Sequence, residues 1–484
     1  MARSSVVTLV LLAFVALLLV MATWAARRTH HAADYLIASR RLGVWLTAFG
    51  FIGNATNAWT LLLLGAAAFT WGLSAIWLWA AMLFGALISM WYVAPRLQSV
   101  AAAQNSTTVT QVISADAGDR LQPLITRSAA FIALVFLLLQ ISIALRAAAT
   151  LLQVDSAYDL NTSVFVFAAV VAGCVLAGGL RAASLCDAVQ VIVMLVAALL
   201  LPLPAIVFLA SWDSLLSSLA VLGPATSDWF GGKSGVVALA FAVGAFGLGF
   251  AVPGQPHAMV RFLAAKDEAV LRRARWIALA WMVVSLGAVL ICGWCARLLY
   301  DGLQHPEQAL FALARRLLPP SIAAVFVTSL VWAIVLSTAS PMLAIASQFA
   351  VEFRRAAAPL SLAWSRFAVV VTAILAIIVS LFIPLGLVEQ GLLALTALGA
   401  AFGPLLLVRL SGKRIRPGSA LGAMWAGFIL TLLFHLLPDS PGDFLERVLP
   451  FVAALGIALT GGERRRNPDR ADRSQETVHD RVPI

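Results

Sequence analysis

The chain has 484 residues, of which 62% are hydrophobic and 11% are charged, and its mean hydropathy is +0.96. This apolar fraction is far above that of a soluble globular domain, so the sequence predicts an integral membrane protein. The formal net charge is +11, but the basic residues stand in short clusters between apolar runs. Membrane topology explains this spacing better than a nucleic-acid-binding face does.

About thirteen apolar segments predict transmembrane helices, so the expected fold class is an all-α membrane protein. The first segment is followed by Arg27 and Arg28, which favours a retained membrane anchor with its N-terminus outside over a cleaved signal peptide. The predicted helices, in chain order, are 5–26, 42–69, 74–94, 128–152, 160–178, 187–211, 235–260, 276–298, 321–351, 367–384, 391–408, 419–437 and 446–461.

The distribution of positive charge supports this count. An odd number of helices that starts outside ends inside, and 26 of the 33 lysines and arginines then fall in cytoplasmic segments. The sequence therefore predicts a multi-pass plasma-membrane protein with its N-terminus outside and its C-terminus in the cytoplasm. Only three of the 33 basic residues in the whole chain are lysines. This ratio is typical of a GC-rich bacterial genome and so favours a bacterial inner membrane.

The segment from Gly50 to Thr60 interrupts an otherwise apolar helix with glycines, asparagines and threonines. Irregular polar backbone at membrane depth is tolerated only where it faces protein or a wet cavity. Broken helices of this kind build ion and substrate sites in secondary transporters. Small and amide residues also hold membrane helices together, so a plain helix contact stays as the alternative.

A second interruption lies in the predicted helix 235–260, which contains three closely spaced glycines before Pro253 and Pro256. Proline removes a backbone donor and clashes with the preceding turn, so this segment is not expected to be one regular helix. Two interrupted helices in corresponding halves favour an inverted-repeat transporter.

We therefore divide the chain into four parts: a peripheral first helix, a transporter core, two peripheral helices, and a charged tail that is expected to be cytoplasmic and disordered. These parts are residues 1–30, 31–410, 411–462 and 463–484, and the two halves of the core are about 42–211 and 235–408.

The predicted helix 321–351 concentrates hydroxyls in its middle, at Ser337, Thr338 and Ser340. Hard monovalent cations prefer oxygen ligands, and hydroxyls that face a broken helix could complete a cation site. Alternatively, these hydroxyls only bond back to carbonyls of the preceding helical turn.

A family resemblance is carried by strings of residues between about 34 and 355. They are Asp34-Tyr-Leu, Arg41-Leu-Gly-Val-Trp-Leu-Thr, Gly178-Gly-Leu-Arg-Ala-Ala-Ser-Leu-Cys-Asp-Ala-Val-Gln, Gly247-Leu-Gly, Gly254-Gln-Pro-His-Ala-Met-Val-Arg-Phe and Ser337-Thr338. With these strings the chain resembles the sodium/solute symporter family, and within it the sodium/proline branch. The resemblance implies a LeuT-like 5+5 inverted-repeat core and sodium-driven uptake of a small organic solute.

The resemblance also implies a sodium site. Ser337 and Thr338 match the paired hydroxyl ligands of the family, and Gly53, Thr56 and Ile334 match positions whose backbone carbonyls complete the site. Sodium is then a co-transported ion, and no cofactor is expected.

Asp187 matches an acidic residue on the inner sodium path of the family. An acid at membrane depth is costly and usually functional. The alternative is a helix N-cap, because Asp187 followed by Gln190 resembles a capping box at the start of the predicted sixth helix.

The substrate residues follow from the same arrangement, in which the two broken helices and the fourth helix are expected to converge. They are Asn57, Trp59, Gln140, Phe246 and Phe250. Aromatic faces and amides suit an amino acid or short organic acid, and suit a sugar less.

The chain also departs from the proline branch. Ala55 replaces an aspartate of that branch, which weakens the inference of sodium coupling, and Gln140, Phe246 and Phe250 replace aromatic positions of the proline pocket. Proline itself is therefore expected to be a poor substrate. Arg146 is either a bidentate clamp for a carboxylate or an arginine that reaches to the membrane interface.

The sequence contains no phosphate-binding loop, metal-spaced His/Cys cluster or catalytic triad, so neither an enzyme nor an ATP-driven pump is expected. The four cysteines fall in or beside apolar segments and are expected to be structural. The expected partners are a small solute, sodium and the lipid bilayer, with no nucleic acid and no obligate protein partner. The alternatives are a proton-coupled or uncoupled carrier of the same fold, and a transporter-like solute sensor.

Overall fold

The structure is a computed structural model that describes residues 2–115, 117–156, 158–208, 212–300, 302–352, 361–382, 387–438 and 440–464. Residues 465–484, which make up nearly all of the tail predicted to be disordered, lie outside the described residues. The regular structure within the described part is almost entirely helical.

The first twelve helices occupy the N-terminal half of the chain. They are α1 Ala2–Ala26, α2 Ala32–Ile37, α3 Val44–Ala55, α4 Ala58–Trp71, α5 Ile76–Leu87, α6 Ala94–Ala103, α7 Val109–Ser114, α8 Gly118–Asp155, α9 Leu160–Leu200, α10 Pro202–Phe208, α11 Trp212–Val221 and α12 Pro224–Ser227.

Eleven helices and two strands follow. They are α13 Gly235–Gly247, α14 Pro256–Ala264, α15 Glu268–Leu299, α16 Ala309–Leu317, α17 Pro320–Leu336, α18 Ala339–Glu352, α19 Leu362–Phe382, α20 Leu387–Leu410, β1 Lys413–Ile415, α21 Pro417–His435, α22 Phe444–Arg447, α23 Leu449–Thr460 and β2 Gly462–Arg464.

Within the described residues, ten helices or runs of joined helices are long and apolar enough to cross a membrane. Two of these runs, Thr60–Ala103 and Leu160–Val207, contain 44 and 48 residues, about twice what one crossing needs. Each run is interrupted at a glycine with positive φ, which is 61° at Gly72 and 54° at Gly179. With two runs divided at these breaks, the ten runs give twelve crossings, and the thirteenth predicted crossing corresponds to the short helix α23. The count of thirteen stays a prediction.

The predicted interruptions of two helices are confirmed. The first separates α3 from α4 at Thr56 and Asn57, and the second is a 3₁₀ segment, Leu248–Gly254, between α13 and α14. The segment 321–351 was expected to be one helix, but it also breaks, between α17 and α18. The reason is Pro341, which has no amide hydrogen to bond the carbonyl of Ser337 four residues earlier.

The predicted start of a helix at Asp187 is wrong. Helix α9 is capped by Asp159, whose side chain accepts from the Thr162 amide, and its one non-helical residue is Gly179. A Cβ at Gly179 would lie 2.3 Å from the carbonyl oxygen of Tyr35, so close packing against α2 places the bend at this glycine. Asp187 therefore lies inside a helix and cannot be its N-cap.

Helix α9 is central to the first part of the fold and packs against α1, α3, α17, α18 and α19. Helix α20 packs against the 3₁₀ segment Leu248–Gly254 and against α8, α21 and α23. The two strands pair antiparallel, with Arg414 opposite Glu463. They are a small departure from the all-helical expectation, and they tie residues 462–464 to the turn before α21.

Candidate functional site

The three helix breaks meet at one buried cavity. Its lining comes from the α3–α4 break, from α8, from the start of α14, from the α17–α18 break and from α20. The lining residues are Asn54, Ala55, Asn57, Thr60, Gln140, Ile141, Ile143, Ala144, His257, Ser337, Thr338, Pro341, Gly391 and Leu395. We call this space the central cavity.

The central cavity is polar but carries no fixed charge. Among the described residues that line it there is no Asp, Glu, Lys or Arg. Two of its polar atoms, Gln140 Oε1 and His257 Nδ1, are buried without a hydrogen-bond partner in the described part of the chain. Because buried polar atoms in native proteins are almost always paired, such atoms point to a bound ligand or water.

Asn57 has a structural role as well as a place in the cavity. Its side-chain oxygen accepts from the Thr60 amide at 3.0 Å and from the Thr60 hydroxyl at 3.1 Å. This is an N-cap for α4, and it explains locally why the chain re-enters a helix immediately after the break. Within the described part of the chain the Asn57 amide nitrogen makes no hydrogen bond, so its two donors are available to a ligand.

The structure brings the paired hydroxyls to the cavity wall. Ser337 is 6% exposed and Thr338 is 1% exposed. Ser337 Oγ donates to the Ile334 carbonyl at 2.6 Å and Thr338 Oγ1 donates to the Val335 carbonyl at 2.7 Å. These are the back-bonds of the alternative interpretation, yet a hydroxyl that donates its hydrogen still has lone pairs for a cation. The sodium role of both residues stays a prediction.

The other predicted sodium ligands lie next to this wall without lining the cavity. The Gly53 carbonyl accepts from Gln190 Nε2 at 3.1 Å. The Thr56 hydroxyl donates to the Ile52 carbonyl at 2.9 Å. The Ile334 carbonyl is the acceptor of the Ser337 hydroxyl. All three positions belong to the same two helix breaks as the cavity.

The predicted substrate residues separate into three groups. Asn57 and Gln140 line the central cavity. Phe246 and Phe250 do not: they pack in an aromatic cluster, in which Phe84 is 4.9 Å from Phe246 and Phe451 is 5.1 Å from Phe250 between ring centroids. The backbone of Trp59 lies in the first turn of α4, and its side chain lies outside the described residues.

Asp187 lies just beyond the cavity in a buried ion pair with Arg261. Arg261 Nη2 is 2.5 Å from Asp187 Oδ2, and neither side chain has exposed surface. Ser340 Oγ lies 3.0 Å from the same oxygen and is also hydrogen-bonded to Arg261. Asn54 Nδ2 donates to Asp187 at 3.0 Å. Since Asn54 also lines the central cavity, it connects the cavity to the ion pair.

The Arg261 side chain reaches Asp187 by crossing the backbone of α3 at Gly50. A Cβ at Gly50 would lie 2.5 Å from Arg261 Nε, so only glycine leaves room for this path. The ion pair thus joins α9 to α14 directly. Asn54 on α3 and Ser340 on α18 complete a network that links all three interrupted helices to α9.

Comparison with known proteins agrees with this arrangement. A model of the sodium:solute symporter family matches residues 35–429. The chain belongs to this family. The symporter is 31% identical to the high-affinity proline transporter PutP of Bacillus subtilis, over 90% of this chain and 93% of that one. It is 29% identical to the osmoregulated proline transporter OpuE of the same organism, over 87% of each chain. It is 27% identical to the sodium/proline symporter of Haemophilus influenzae, over 89% of each chain.

Solved structures support the fold. The symporter matches a Na⁺-coupled sialic acid symporter with a TM-score of 0.79 at 14% identity, covering 95% of this chain and 99% of that one. It also matches a nucleobase-cation-symport-1 family transporter with a TM-score of 0.53 at 17% identity, covering 89% and 94%. The expected LeuT-like fold is confirmed, and the chain is a multi-pass sodium-coupled solute symporter.

Arg146 does not line the central cavity of the symporter. Its Nη1 donates to the Ser380 carbonyl at 2.7 Å. Two further hydrogen bonds join α8 to α19, from Ser142 Oγ to the Ala376 carbonyl and from Ser380 Oγ to the Ser142 carbonyl. The guanidinium therefore holds two helices together. This contact favours neither the predicted carboxylate clamp nor a side chain that reaches to the interface.

Sequence reasoning missed His257, Arg261 and Asn54 as site residues. His257 and Arg261 stand in the Gly-Gln-Pro-His-Ala-Met-Val-Arg-Phe string that carried the family resemblance, so their spacing after Pro256 was the available signal. Pro256 starts α14, and the two side chains then follow at positions one turn apart. His257 faces the central cavity, and Arg261 faces Asp187.

A second and wider cavity follows the central cavity along the same helices. We call it the outer vestibule, because the predicted topology places it on the outer side. Thr60 and Leu395 line the central cavity, and Leu63 and Leu392, one turn further along, line the vestibule. The vestibule also contains four acidic residues, one arginine and one histidine. These are Glu307, Glu389, Asp443, Glu446, Arg447 and His435.

Proposed function

We propose that this symporter imports a proline-like amino acid together with sodium, with the solute bound in the central cavity. The observation that carries the proposal is the composition of that cavity, where neutral donors and acceptors adjoin the hydroxyl pair of Ser337 and Thr338. Relatives named as proline transporters, matched over most of the chain, support a solute of this class.

A zwitterionic amino acid suits an uncharged site better than an ion does. A net charge buried without a partner is costly, whereas a zwitterion brings both signs and needs mainly hydrogen bonds. Gln140 Oε1 offers an acceptor for an ammonium or imino N–H, and the Asn57 amide offers donors for a carboxylate. A sugar needs a denser set of polar partners than this lining supplies.

The expectation that proline is a poor substrate rested on Gln140, Phe246 and Phe250. Because neither phenylalanine ring lines the central cavity, the argument from these two rings has lost its basis, and we now place proline among the proposed solutes. The substrate roles of Asn57 and Gln140 are retained in the proposal, and those of Phe246 and Phe250 are not.

We further propose a route for the ion. The lining of the outer vestibule is net negative, because its four carboxylates outnumber Arg447, which pairs with Asp443. This excess of negative charge raises the local concentration of cations. Sodium then binds between the Ser337 and Thr338 hydroxyls and the carbonyls of Gly53, Thr56 and Ile334. On the inner side, Asp187 receives sodium only when its ion pair with Arg261 opens. The localisation we propose is a bacterial inner membrane, with the N-terminus outside.

The decisive experiment measures proline uptake by purified protein in proteoliposomes, with a sodium gradient, with a proton gradient, and with neither. Sodium-dependent accumulation that unlabelled proline competes away is the expected result. Accumulation with the proton gradient alone would mean that protons, and not sodium, drive uptake. This outcome is worth testing because Ala55 stands where the proline branch has an aspartate. Binding without accumulation would favour a solute sensor.

The solute class is tested by a competition panel of amino acids, carboxylates and sugars in the same vesicles. Gln140→Ala should change the ranking of competitors while leaving the sodium concentration for half-maximal uptake nearly unchanged, because Gln140 is not among the sodium ligands. Gln104→Ala, a change outside the cavity lining, is the matched control. An unaltered ranking in the Gln140 variant would remove Gln140 from the site.

A further inference from the structure

A basic cavity lies at the end of the fold where α1 stops and α3 begins, away from the residues of the proposed transport site. It is lined by Trp24, Arg27, Arg28, His30, Asp34, Arg41, Leu42, Leu46 and Arg181. We call it the arginine cavity. The distribution of positive charge in the sequence predicts that this end of the fold is cytoplasmic.

The charge of the arginine cavity is strongly unbalanced, because four arginines face the single carboxylate of Asp34. Arg181 lies 3.6 Å from that carboxylate, and both side chains are 15% exposed. Partial burial works to raise the pKa of Asp34. Hydrogen bonds from Ser39 and the His30 amide, with the charge of Arg181, outweigh it and hold that pKa below its ordinary value. Asp34 is therefore ionised and offsets one guanidinium.

The other three guanidinium groups have no acidic partner among the described residues. Arg28 lies 4.1 Å above the Trp24 ring in a cation–π contact. Arg27 and Arg41 are exposed, and within the described part of the chain their side chains make no hydrogen bond or ion pair. The neighbouring Arg40 is different, since it donates to the carbonyls of Leu263, Ala101 and Ser106. Arg40 is a structural arginine, whereas Arg27 and Arg41 are available to a ligand.

The wall beside the arginine cavity is apolar and exposed. On α1, Leu19 and Val20 are 62% and 66% exposed and precede Trp24, which is 40% exposed. At the start of α3, next to the lining residue Leu46, Trp45 is 62% exposed. Apolar side chains on a membrane helix face hydrocarbon, and tryptophans collect at the level of the lipid headgroups. The arginines therefore lie at headgroup depth, next to a surface that lipid chains can cover.

We propose that the arginine cavity binds the headgroup of an anionic phospholipid. The phosphodiester accepts hydrogen bonds from Arg27 and Arg41, whose planar donors match phosphate oxygens, and the acyl chains lie along α1. Juxtamembrane arginines on the cytoplasmic side attract anionic lipids by the same physics. The apolar wall continuous with the rim is what favours a lipid over free phosphate.

A lipid bound there would brace three elements of the fold. Arg27 and Arg28 follow α1, Arg41 precedes α3, and Arg181 follows the bend of α9 at Gly179. Because α3 leads directly into the first helix break, an anionic lipid at its start stabilises the inner end of the interrupted helix.

The test uses the full-length protein in neutral detergent, with phosphatidylglycerol as the probe and phosphatidylcholine as the neutral lipid. Bound lipid is counted by native mass spectrometry during titration. The double variant Arg27→Gln with Arg41→Gln should weaken phosphatidylglycerol binding by about tenfold or more, since each arginine near an anionic lipid contributes on the order of fivefold. Arg272→Gln with Arg273→Gln removes two exposed arginines of α15 on the same predicted side and is the matched control.

Each outcome decides the proposal. A loss confined to the Arg27 and Arg41 variant supports it. Equal losses in both double variants would mean diffuse charge attraction, and no loss would mean that the cavity is not the site; either result overturns it. If inorganic phosphate occupies the cavity as well as phosphatidylglycerol does at equal concentration, the cavity is a site for a free anion and not for a lipid. Since Arg27 and Arg41 contact no protein partner in the described residues, the unfolding temperature without lipid should be unchanged.

Discussion

Asp187 and Arg261 show at the residue scale how a charge can lie at membrane depth. Both side chains are fully buried, and the Asp187 carboxylate is hydrogen-bonded by Arg261, Asn54 and Ser340. Arg261 uses only Nη2 in these contacts, and its Nε and Nη1 have no partner among the described residues. Taking two ions out of water is costly, and their attraction offsets this cost only when the geometry and the surrounding hydrogen bonds are good. The pair is therefore sensitive to the loss of either member.

We predict that replacing one member of the ion pair lowers the stability of the protein more than replacing both members does. Asp187→Asn or Arg261→Gln alone leaves one buried charge unpaired and should lower stability by about 3–5 kcal/mol. The double variant should be clearly more stable than the sum of the two losses predicts, because contacting residues are not additive. Unfolding temperatures of the three variants in detergent measure this, and strictly additive losses would contradict the pairing.

The sodium site is also argued at the residue scale. Ser337→Ala with Thr338→Ala should raise the sodium concentration for half-maximal uptake tenfold or more, since each lost oxygen ligand costs on the order of 1–2 kcal/mol. Ser347→Ala is the control, because Ser347 Oγ makes the same kind of back-bond, to the Ala344 carbonyl at 2.9 Å, outside the central cavity. If the double variant keeps the sodium dependence of the parent protein, Ser337 and Thr338 are not ligands.

At the scale of elements, the second helix break is held in place by α20. Gln255 Nε2 donates to the Leu395 carbonyl at 2.9 Å and to the Ala251 carbonyl at 3.0 Å. The two backbones approach so closely that a Cβ at Gly399 would lie 2.3 Å from Ala251 Cα. The irregular 3₁₀ segment is stable at membrane depth because α20 both accepts its hydrogen bonds and leaves room for it.

We therefore predict that Gly399→Ala pushes α20 away from the 3₁₀ segment. Overpacking at a backbone contact should cost about 1–3 kcal/mol and lower the unfolding temperature. The matched control is Gly456→Ala in α23, where a Cβ has nothing within 4 Å. There alanine should be neutral or stabilising by up to about 1 kcal/mol, since it favours helix over glycine. Equal effects at both positions would mean that the close approach to Ala251 is unimportant.

At the scale of the whole molecule, charge is distributed unequally between the two ends of the fold. One end carries the arginine cavity with its four arginines, and the other carries the outer vestibule with its four acidic residues. Positive residues favour the cytoplasmic side of a membrane protein, so the arginine cavity is expected inside and the vestibule outside.

This asymmetry gives a topology prediction. Reporter tags inserted after Arg28 and attached at the C-terminus should both be found in the cytoplasm, as thirteen crossings with an outer N-terminus require. Twelve crossings are predicted between the two tags, and an even number returns the chain to the same side. Tags that report opposite sides would therefore exclude this number and lower or raise the count of crossings by one. A tag between Ser227 and Gly235, in the predicted outer loop, serves as the external control.

Sequence reasoning located both expected helix breaks and the hydroxyl pair, because proline, glycine and mid-helix hydroxyls disturb a helix locally whatever surrounds it. It could not decide between a cap and a deeper role for Asp187. The residues around position 187 allow a helix start there, and only the packing of Gly179 against Tyr35 moves the bend eight residues earlier. The same limit explains Phe246 and Phe250, whose direction depends on the 3₁₀ turn and on Phe451, just over 200 residues away in the chain.

Composition and the spacing of arginines by themselves determined that this is an integral membrane protein with many crossings. The free energy of moving a side chain into the bilayer, and the preference of arginine for the cytoplasmic side, depend on residue type alone. Which polar residues share one cavity was decided only by tertiary structure. His257 and Gln140 line the same cavity, and Arg261 pairs with Asp187, although these residues lie on helices far apart in sequence. No local pattern encodes such a meeting, since it arises from how several interrupted helices pack together.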